Sequence, residues 1–289
     1  MKTAIIGASG FVGSNLWRSY KKEHPDCIGT AFSNSSKGHT FFDLRYPDLA
    51  KLNLEKTGHE AVIIASAKPN IAYCENEAEQ AFLVNVKGTL SLIKQLVETK
   101  IKIFFLSSDY VFDGKKGLYD DWSSTNPTTE YGRQKEIVEK EIPKLTDNYQ
   151  IIRLSKIYGL EKGDGTLLDE MAENLLSNKK MRLAKDQFFS PTYVKDVIQI
   201  IKNIQKRSSS KIINIAAPIR ISRLEVAQHL GKQMKADPSL IEAISLHDIQ
   251  SMKNRPLDTS LCCSYLNKCL RPIFTPWKDI LRRIDENYC

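Results

Sequence analysis

The chain has 289 residues, of which 42% are hydrophobic and 26% are charged, and this composition is ordinary for a globular protein. No apolar run approaches the roughly 18 residues that a membrane-spanning helix requires, so no membrane partner is predicted. The N-terminal segment MKTAIIGASG lacks the apolar core of a signal peptide. The sequence therefore predicts a cytoplasmic protein.

The net charge is +8, from 42 basic and 34 acidic residues. The basic residues are spread along the chain, which argues against a nucleic-acid partner and favours small anionic ligands, with a solvated basic surface as the alternative. The six cysteines form no CxxC pair and have no histidine cluster beside them. No metal site is predicted, and free thiols in a reducing compartment are the expected state.

Strands and helices alternate in the first half of the chain. Apolar runs predict strands over 2–6, 27–32, 60–65, 102–106 and 150–154, and amphipathic segments predict helices over 11–22, 77–98 and 131–141. Such alternation argues for βαβ units, that is, an α/β fold with a Rossmann-type doubly wound parallel sheet. Beyond about residue 160 the alternation ends, which predicts a smaller C-terminal lobe.

A glycine-rich turn, GASGFVG, follows the first predicted strand and opens the first helix. Glycine is needed where such a turn has positive φ, where backbone approaches a pyrophosphate and where helix packs on strand. The free N–H groups of the helix N-terminus favour phosphate groups. The turn predicts a dinucleotide site that comprises Gly7, Ser9, Gly10, Phe11, Val12 and Gly13.

The end of the second strand bears on the choice of cofactor. An NAD site normally carries Asp or Glu there to bind the ribose hydroxyls. This chain has FSNSSK over 32–37, with hydroxyls, one cation and no carboxylate. The segment favours the 2′-phosphate of NADPH, with Ser33 and Asn34 as contacts, and NADH stays open.

Two segments carry candidate acid–base chemistry. In EYGRQK, Tyr131 and Lys135 lie one helical turn apart, either as a surface pair or as a tuned phenol. A free phenol titrates near pH ~10, and an ammonium about 4 Å away would lower its pKa towards neutrality. Ser107, Ser108 and Asp109 follow a buried strand, where ligands bind in doubly wound sheets. A hydroxyl there could bind a substrate carbonyl while Tyr131 protonates the alkoxide; a capping turn is the plainer alternative.

Together these features resemble the extended short-chain dehydrogenase/reductase superfamily. The segments SSDYVF (107–112), YGRQK (131–135), DQFFSPTY (186–193) and RPLDTSL (255–261) are similar to the pattern of the dTDP-4-dehydrorhamnose reductase family. The resemblance covers nearly the whole chain. It implies an oxidoreductase of dTDP-rhamnose and polysaccharide biosynthesis that reduces a 4-keto, nucleotide-linked deoxysugar with NADPH.

The resemblance also implies roles for single residues. Tyr131 would be the proton donor, and Lys135 would bind the nicotinamide ribose and tune the phenol. Further cofactor contacts would be Asp43, Leu44, Ala65, Ser66, Ala67, Asn85 and Ser107, and the sugar nucleotide would contact Ser108, Tyr110, Lys156, Tyr193 and Arg255, with Asp109 beside Ser108. The implied domains are an NADP-binding domain over 1–159, also receiving 193–217, and a substrate-binding lobe over 160–192 and 218–289.

One segment departs from the family pattern. RLSKIY (153–158) stands where rhamnose-forming reductases commonly carry RTSWVY, so Lys156 replaces a tryptophan. The expected sugar pocket loses an aromatic wall. This change suits a more polar or anionic sugar, or a site that has lost its activity, and it leaves the identity of the sugar open.

Two other functions stay open at this point. The regulatory subunit of methionine adenosyltransferase resembles this family, binds NADP, keeps YxxxK and does not act as a reductase. Epimerases and dehydratases belong to the same superfamily, but dehydration is disfavoured because Tyr110, and no Glu, follows Asp109. The family's habit of pairing implies a homodimer, although the sequence shows no cluster of ligands for a magnesium-linked form.

Overall fold

The computed structural model of the chain describes residues 1–32, 38–207, 210–249 and 254–288. The helices are α1 (Phe11–Glu23), α2 (Ile71–Asn76), α3 (Ala78–Phe82), α4 (Thr89–Val97), α5 (Glu130–Leu145), α6 (Leu167–Leu176), α7 (Val194–Arg207), α8 (Arg223–Gln233), α9 (Ser264–Cys269) and α10 (Trp277–Tyr288). The strands are β1 (Thr3–Ile6), β2 (Thr30–Ala31), β3 (Thr40–Phe41), β4 (Ala61–Ile64), β5 (Lys102–Ser108), β6 (Tyr149–Leu154), β7 (Ile157–Tyr158), β8 (Met181–Ala184), β9 (Phe188–Phe189), β10 (Thr192–Tyr193), β11 (Ile212–Ile215), β12 (Ile221–Ser222) and β13 (Ile241–Ile244). Within these ranges, none of the helices has both the length and the apolar character needed to span a bilayer.

The chain divides into two compact units. Unit 1 comprises Met1–Phe112, Ser124–Leu154 and Ile201–Ile213, and unit 2 comprises Asp113–Ser123, Ser155–Ile200 and Asn214–Cys289. The NADP-binding range predicted from the sequence, 1–159, therefore includes two stretches, 113–123 and 155–159, that cluster with unit 2. The functional assignment of the two ranges stays a prediction.

Unit 1 is built on a central sheet with the strand order β1-β4-β5-β6-β11. The β1–β4, β4–β5 and β5–β6 pairs are parallel, and every residue of β1, β4 and β6 is buried because both faces are covered. Ile5 bridges Gly29 beside β1, and β2 pairs in parallel with β3. These pairings confirm the predicted doubly wound sheet.

The main hydrophobic core of unit 1 joins one face of this sheet to two helices. Alternate strand residues such as Ile6, Val62 and Phe105 pack with Leu92 of α4 and Val138 of α5. This arrangement follows from the two-residue period of a strand and the three- to four-residue spacing of apolar positions on a helix. It places the carboxyl end of β5 beside the start of α5.

Some element bounds differ from those predicted. The second strand is only Thr30–Ala31, although the backbone of Ile28 still accepts a hydrogen bond from Ile5 at 2.8 Å. Helix α5 continues past the predicted end to Leu145 and contains Pro143. The helix extends because a proline near its C-terminus removes only one late hydrogen bond.

The described part of unit 2 contains short strands, the helices α6, α8, α9 and α10, and the first half of α7. β7 pairs in parallel with β10, β8 pairs in parallel with β13, and β9 pairs antiparallel with β12. A capping box at Ser222 and Glu225 opens α8. The sequence predicted no individual strands here because strands of two to four residues are too short to show a clear hydrophobic period.

Candidate active site

The glycine turn connects β1 to α1 as predicted. Gly7 has φ +92°, and a Cβ there would lie 2.7 Å from Ser66 Cα, so only glycine fits without a backbone shift. A Cβ on Gly13 would overlap the carbonyl oxygen of Gly7. The helix begins after Gly10 with no side-chain cap and no acidic residue in its first turn, which leaves N–H groups for an anion.

A cavity of about 320 Å³ lies at this turn. Of the cofactor contacts predicted from the sequence, it is lined by Gly7, Ser9, Gly10, Asp43, Leu44, Ala65, Ser66 and Ala67. Phe11, Val12 and Gly13 form the first turn of α1 instead, and Ser33 and Asn34 lie outside the described residues. The cavity therefore joins three predicted segments that are far apart in the sequence.

Several cavity residues were missed by sequence reasoning. They include Thr30, Phe32, Arg45, Lys68, Tyr73 and Gln80. Arg45 is two residues from the predicted Asp43, and Lys68 directly follows the predicted Ala65–Ala67 turn, so only their neighbourhood in sequence could have suggested them. Their side chains carry no motif of their own.

Tyr131 lies at the start of α5, where the Thr129 side chain caps the helix by accepting a hydrogen bond from Gly132 N at 3.2 Å. The phenol ring is buried and packs with Cys74 and Ala81, and its centroid is 6.4 Å from that of Tyr110. Gly132 allows the helix to approach the Tyr110 backbone, because a Cβ there would overlap the Tyr110 carbonyl oxygen. The cap and this close approach fix the position of the phenol.

Lys135 is buried one turn further along α5. Its Nζ donates a hydrogen bond to the Leu106 carbonyl at 2.8 Å, lies 4.6 Å from the Phe105 ring centroid and 5.9 Å from that of Tyr131. Burial lowers the pKa of Lys135 to about 8, and the charge of Glu139 acts in the opposite direction. The predicted neighbours on one helix face are thus confirmed as neighbours, with the ammonium bonded to a backbone carbonyl of β5.

The predicted acidification of the phenol is wrong for this structure. Burial raises the pKa of Tyr131 above its ordinary value, the negative charge of Asp109 adds to this, and the nearby Ser108 side chain lowers the pKa only in part. Acidification would require the Lys135 ammonium close to the phenol oxygen, whereas the Lys135 ammonium donates to the Leu106 carbonyl. Tyr131 is consequently a protonated phenol near neutral pH.

The strand-end hydroxyls have different environments. Ser108 Oγ donates to Asp109 Oδ1 at 3.0 Å and accepts from Tyr110 N at 3.3 Å, so it also caps the turn after β5. Ser107 Oγ is buried and makes no hydrogen bond to any residue in the described ranges. A buried hydroxyl without a partner is uncommon and fits a position that a bound ligand completes.

Asn85 joins the cavity wall to α5. It lies in a π-helical segment, Leu83–Gly88, between α3 and α4. Its Oδ1 accepts from Lys68 N at 2.7 Å, and its Nδ2 donates to Lys68 O at 3.1 Å and to Gln134 Oε1 at 2.8 Å. Gln134, inside the YGRQK segment, was missed by the sequence analysis.

We expect Asn85→Ala to lower the free energy of unfolding by about 1–3 kcal/mol, because it leaves buried polar groups of Lys68 and Gln134 without partners. Urea denaturation measures this change. Asn148→Ala is the matched control, since that side chain makes an exposed hydrogen bond to Lys100 O, and its expected loss is below about 0.5 kcal/mol. Equal losses in the two variants would contradict the stabilising role of the Asn85 hydrogen bonds to Lys68 and Gln134.

A buried ion pair supports α5 from β6. Arg153 binds Glu139 with distances of 3.1, 3.1 and 2.7 Å, and both side chains are 4% exposed. The guanidinium also lies 5.0 Å from the Phe112 ring centroid. Glu139 is one turn beyond Lys135. Its negative charge opposes part of the pKa decrease that burial causes at Lys135, so the pair contributes to the electrostatics of the site.

In unit 2, the two C-terminal motifs of the sequence analysis lie side by side. Phe188 N donates to Leu257 O at 2.6 Å, and Thr259 N donates to Phe188 O at 2.9 Å. This pairing joins DQFFSPTY to RPLDTSL. The contact explains why both segments can be needed by one site although 61 residues, 194–254, separate them in the sequence.

The predicted substrate residues of unit 2 differ in exposure. Lys156 is exposed, whereas Tyr193 is buried and stacks on Tyr158 with ring centroids 6.1 Å apart. Arg255 Nε is buried and has no hydrogen-bond partner in the part of the chain that is described. Substrate contact by these three residues stays a prediction.

The parallel sheet and the glycine turn that follows its first strand define a protein with a Rossmann-type fold. Residues 1–288 match the sequence model of the RmlD substrate binding domain, and the chain belongs to that family. The resemblance that the four sequence segments indicated is thereby confirmed.

Individual relatives agree with this assignment. The chain is 24% identical over 278 residues to methionine adenosyltransferase 2 subunit beta of Xenopus tropicalis, covering 92% of this chain and 82% of that protein. A crystal structure of a hypothetical dTDP-4-dehydrorhamnose reductase from Sulfolobus tokodaii has a TM-score of 0.83 and 28% identity, covering 97% and 99% of the two chains. The NADP complex of dTDP-4-dehydrorhamnose reductase from Bacillus anthracis str. Ames has a TM-score of 0.85 and 22% identity, covering 98% and 99%.

Proposed function

We propose that this protein reduces a 4-keto group on a nucleotide-linked deoxysugar with NADPH. The observation that carries the proposal is the position of Tyr131, a buried phenol beside Ser108 and Lys135 in the same unit as the glycine turn. Solved relatives named dTDP-4-dehydrorhamnose reductases support the reaction class. The cytoplasmic location and the homodimer remain predictions.

The residues of unit 1 fit a bound dinucleotide. Gly7 and Gly13 let the turn pack closely against Ser66 and against the first turn of α1, and the uncapped start of α1 offers N–H donors to a pyrophosphate. Ser107 Oγ lacks a partner that a ligand atom could supply. When bound, NADPH supplies the hydride for reduction of the carbonyl.

The chain's own groups would handle the proton. Tyr131 keeps its proton near neutral pH because its pKa is raised, and a protonated phenol is still a far stronger acid than the alcohol that is formed. It can therefore donate to the developing alkoxide. The Ser108 hydroxyl would rotate away from Asp109 and donate a hydrogen bond to the substrate oxygen. The positive charge of Lys135 would stabilise the phenolate of Tyr131.

Unit 2 is proposed to bind the sugar nucleotide. Arg255 is the first candidate for the diphosphate because its Nε is buried without a partner and a guanidinium matches phosphate geometry. Lys156, exposed in place of the family's tryptophan, is the candidate contact for a polar or anionic sugar. Tyr193 would act mainly by packing, since it is buried against Tyr158.

A screen of purified full-length protein would test the function. NADPH and NADH oxidation is followed at 340 nm with dTDP-, UDP- and GDP-linked 4-keto-6-deoxysugars. We expect turnover with at least one of them and a higher kcat/KM for NADPH. Absence of turnover with every sugar, together with tight NADPH binding, would contradict the reductase.

A second candidate function is favoured by one observation, the match of 92% of the chain to a subunit of methionine adenosyltransferase. In that case the protein binds NADPH without turnover and regulates a partner enzyme. A pull-down with a methionine adenosyltransferase catalytic subunit, with and without NADPH, distinguishes the two. Binding of that subunit without ketosugar reduction would favour the regulatory function.

A further inference from the structure

An arginine that no sequence motif predicted lies at the β2 end of the cavity. Phe32 directly follows β2, and the guanidinium carbon of Arg45 lies 4.9 Å from its ring centroid. Both residues line the cavity that also contains Gly7 and Ser9. The ring is 53% exposed, so the stacked pair borders open space.

Asp43 holds this guanidinium in one orientation. Arg45 Nε lies 3.0 and 3.1 Å from the two Asp43 oxygens, Nη2 lies 2.7 Å from Oδ2, and the Arg45 backbone N also donates to Oδ1 at 3.0 Å. Two parallel hydrogen bonds fix the plane of a guanidinium far better than a single charge contact. Asp43 lines the cavity too, and its charge there is balanced by Arg45.

The remaining edge of the guanidinium is available to a ligand. Nη1 makes no hydrogen bond to any residue of the described ranges, and the Arg45 side chain is 41% exposed. In a dinucleotide fold, the residues after the second strand read the 2′ position of the adenosine ribose. In this chain, Phe32 occupies the position after the second strand, and the Arg45 guanidinium lies over its ring. An NAD-binding protein would carry an acidic residue for the 2′-hydroxyl at that position.

We propose that Arg45 is the specificity-determining residue that recognises the 2′-phosphate of NADPH, with Phe32 and Asp43 positioning its guanidinium. The inference rests on the proposed use of a nicotinamide dinucleotide and adds the residue that selects between its two forms. Arg45 reaches the site from the segment after β3, so a search confined to the residues after β2 would overlook it.

The test compares the Kd values of NADPH and NADH for the full-length protein and for Arg45→Ala, by isothermal titration calorimetry. A charge-assisted contact of this kind predicts that Arg45→Ala raises the Kd for NADPH about 10- to 100-fold and that for NADH less than about 3-fold. The adenosine fragment 2′,5′-ADP should lose affinity in parallel with NADPH. The Kd of Arg45→Lys for NADPH should lie between those of the wild type and Arg45→Ala, because lysine keeps the positive charge and lacks the paired N–H donors of the guanidinium.

Arg182→Ala is the matched control, because Arg182 is also an exposed, ion-paired arginine, with Glu242 at 3.4 Å, and lies in unit 2. It should leave both Kd values unchanged. Equal loss of affinity for NADPH and NADH in Arg45→Ala, or no loss of either, overturns the proposal. A wild-type protein that binds neither dinucleotide would instead refute the proposed function.

Discussion

Tyr131→Phe is expected to lower kcat at least about 100-fold and to leave the Kd for NADPH nearly unchanged. The substitution removes only the phenol oxygen, which is the proposed proton donor. The ring keeps its packing with Cys74 and Ala81, so the start of α5 should stay in place. Steady-state kinetics with the best ketosugar of the screen gives kcat, and calorimetry gives the Kd.

Tyr110→Phe is the control for this experiment. Tyr110 is a neighbouring tyrosine of the same cluster, and its ring centroid lies 6.4 Å from that of Tyr131. It should lower kcat much less, because Tyr110 is predicted to contact substrate and not to transfer the proton. A Tyr131→Phe variant with wild-type turnover would remove Tyr131 from the mechanism.

The pH profile gives an independent check on the same residue. Because burial raises the pKa of Tyr131, the phenol should stay protonated through neutral and mildly alkaline pH. Loss of activity on the alkaline side should then follow Lys135, whose pKa is lowered to about 8. This assignment to Lys135 would be supported if the alkaline decrease in activity disappears in a Lys135 variant and persists in Tyr110→Phe.

The sheet could be predicted from sequence because its signals are local. Val62 and Ile64 lie in an uninterrupted apolar run, as expected for a strand buried on both faces, and Gly7 marks a turn that only glycine can form. Such signals need no knowledge of distant residues. The same holds for the nearness of Tyr131 and Lys135, which the helical repeat fixes.

The electrostatics of the site could not be predicted in this way. Whether Lys135 acidifies Tyr131 depends on where its amine finds an acceptor, and that acceptor is the backbone of Leu106, 29 residues earlier in the chain. The pKa of Tyr131 also depends on how deeply the phenol is buried, and this burial depends on packing by α2 and α3. Helical spacing brings two side chains together but does not set the direction of a flexible one.

Contacts between separate loops were beyond sequence analysis for a related reason. Arg45 and Phe32 meet only because β2 and β3 pair, and both strands are two residues long. Gln134 meets Asn85 through a π-helical turn that has no sequence signature of its own. These contacts are determined by the tertiary fold.

Lys135→Met is expected to abolish most of the activity and to stabilise the protein without cofactor. Turnover should fall at least about 100-fold because the phenolate formed by Tyr131 loses its nearby positive charge. Stability should rise at about pH 7 because burial of the ammonium, which lowers its pKa from 10.5 to about 8, costs on the order of 3 kcal/mol. The lost hydrogen bond to Leu106 offsets part of this gain.

The pH dependence of this stability difference follows from proton binding by Lys135 in the folded and unfolded states. Below about pH 8 both the folded and the unfolded chain carry the Lys135 proton, so the cost of the buried charge is fully present. Between about pH 8 and pH ~10.4 the folded chain has released that proton and the unfolded chain still binds it, so wild-type stability rises with pH relative to the variant. The advantage of Lys135→Met should therefore shrink as the pH increases.

Urea denaturation of both proteins at about pH 7 and pH 10 measures this difference. Lys94→Met, at an exposed position on α4, is the control and should show no such pH-dependent advantage. If Lys135→Met were less stable than the wild type at pH 7, the ammonium would be stabilised by its surroundings. The buried lysine would then be a structural anchor, and its presence could no longer be explained as a stability cost retained for catalysis.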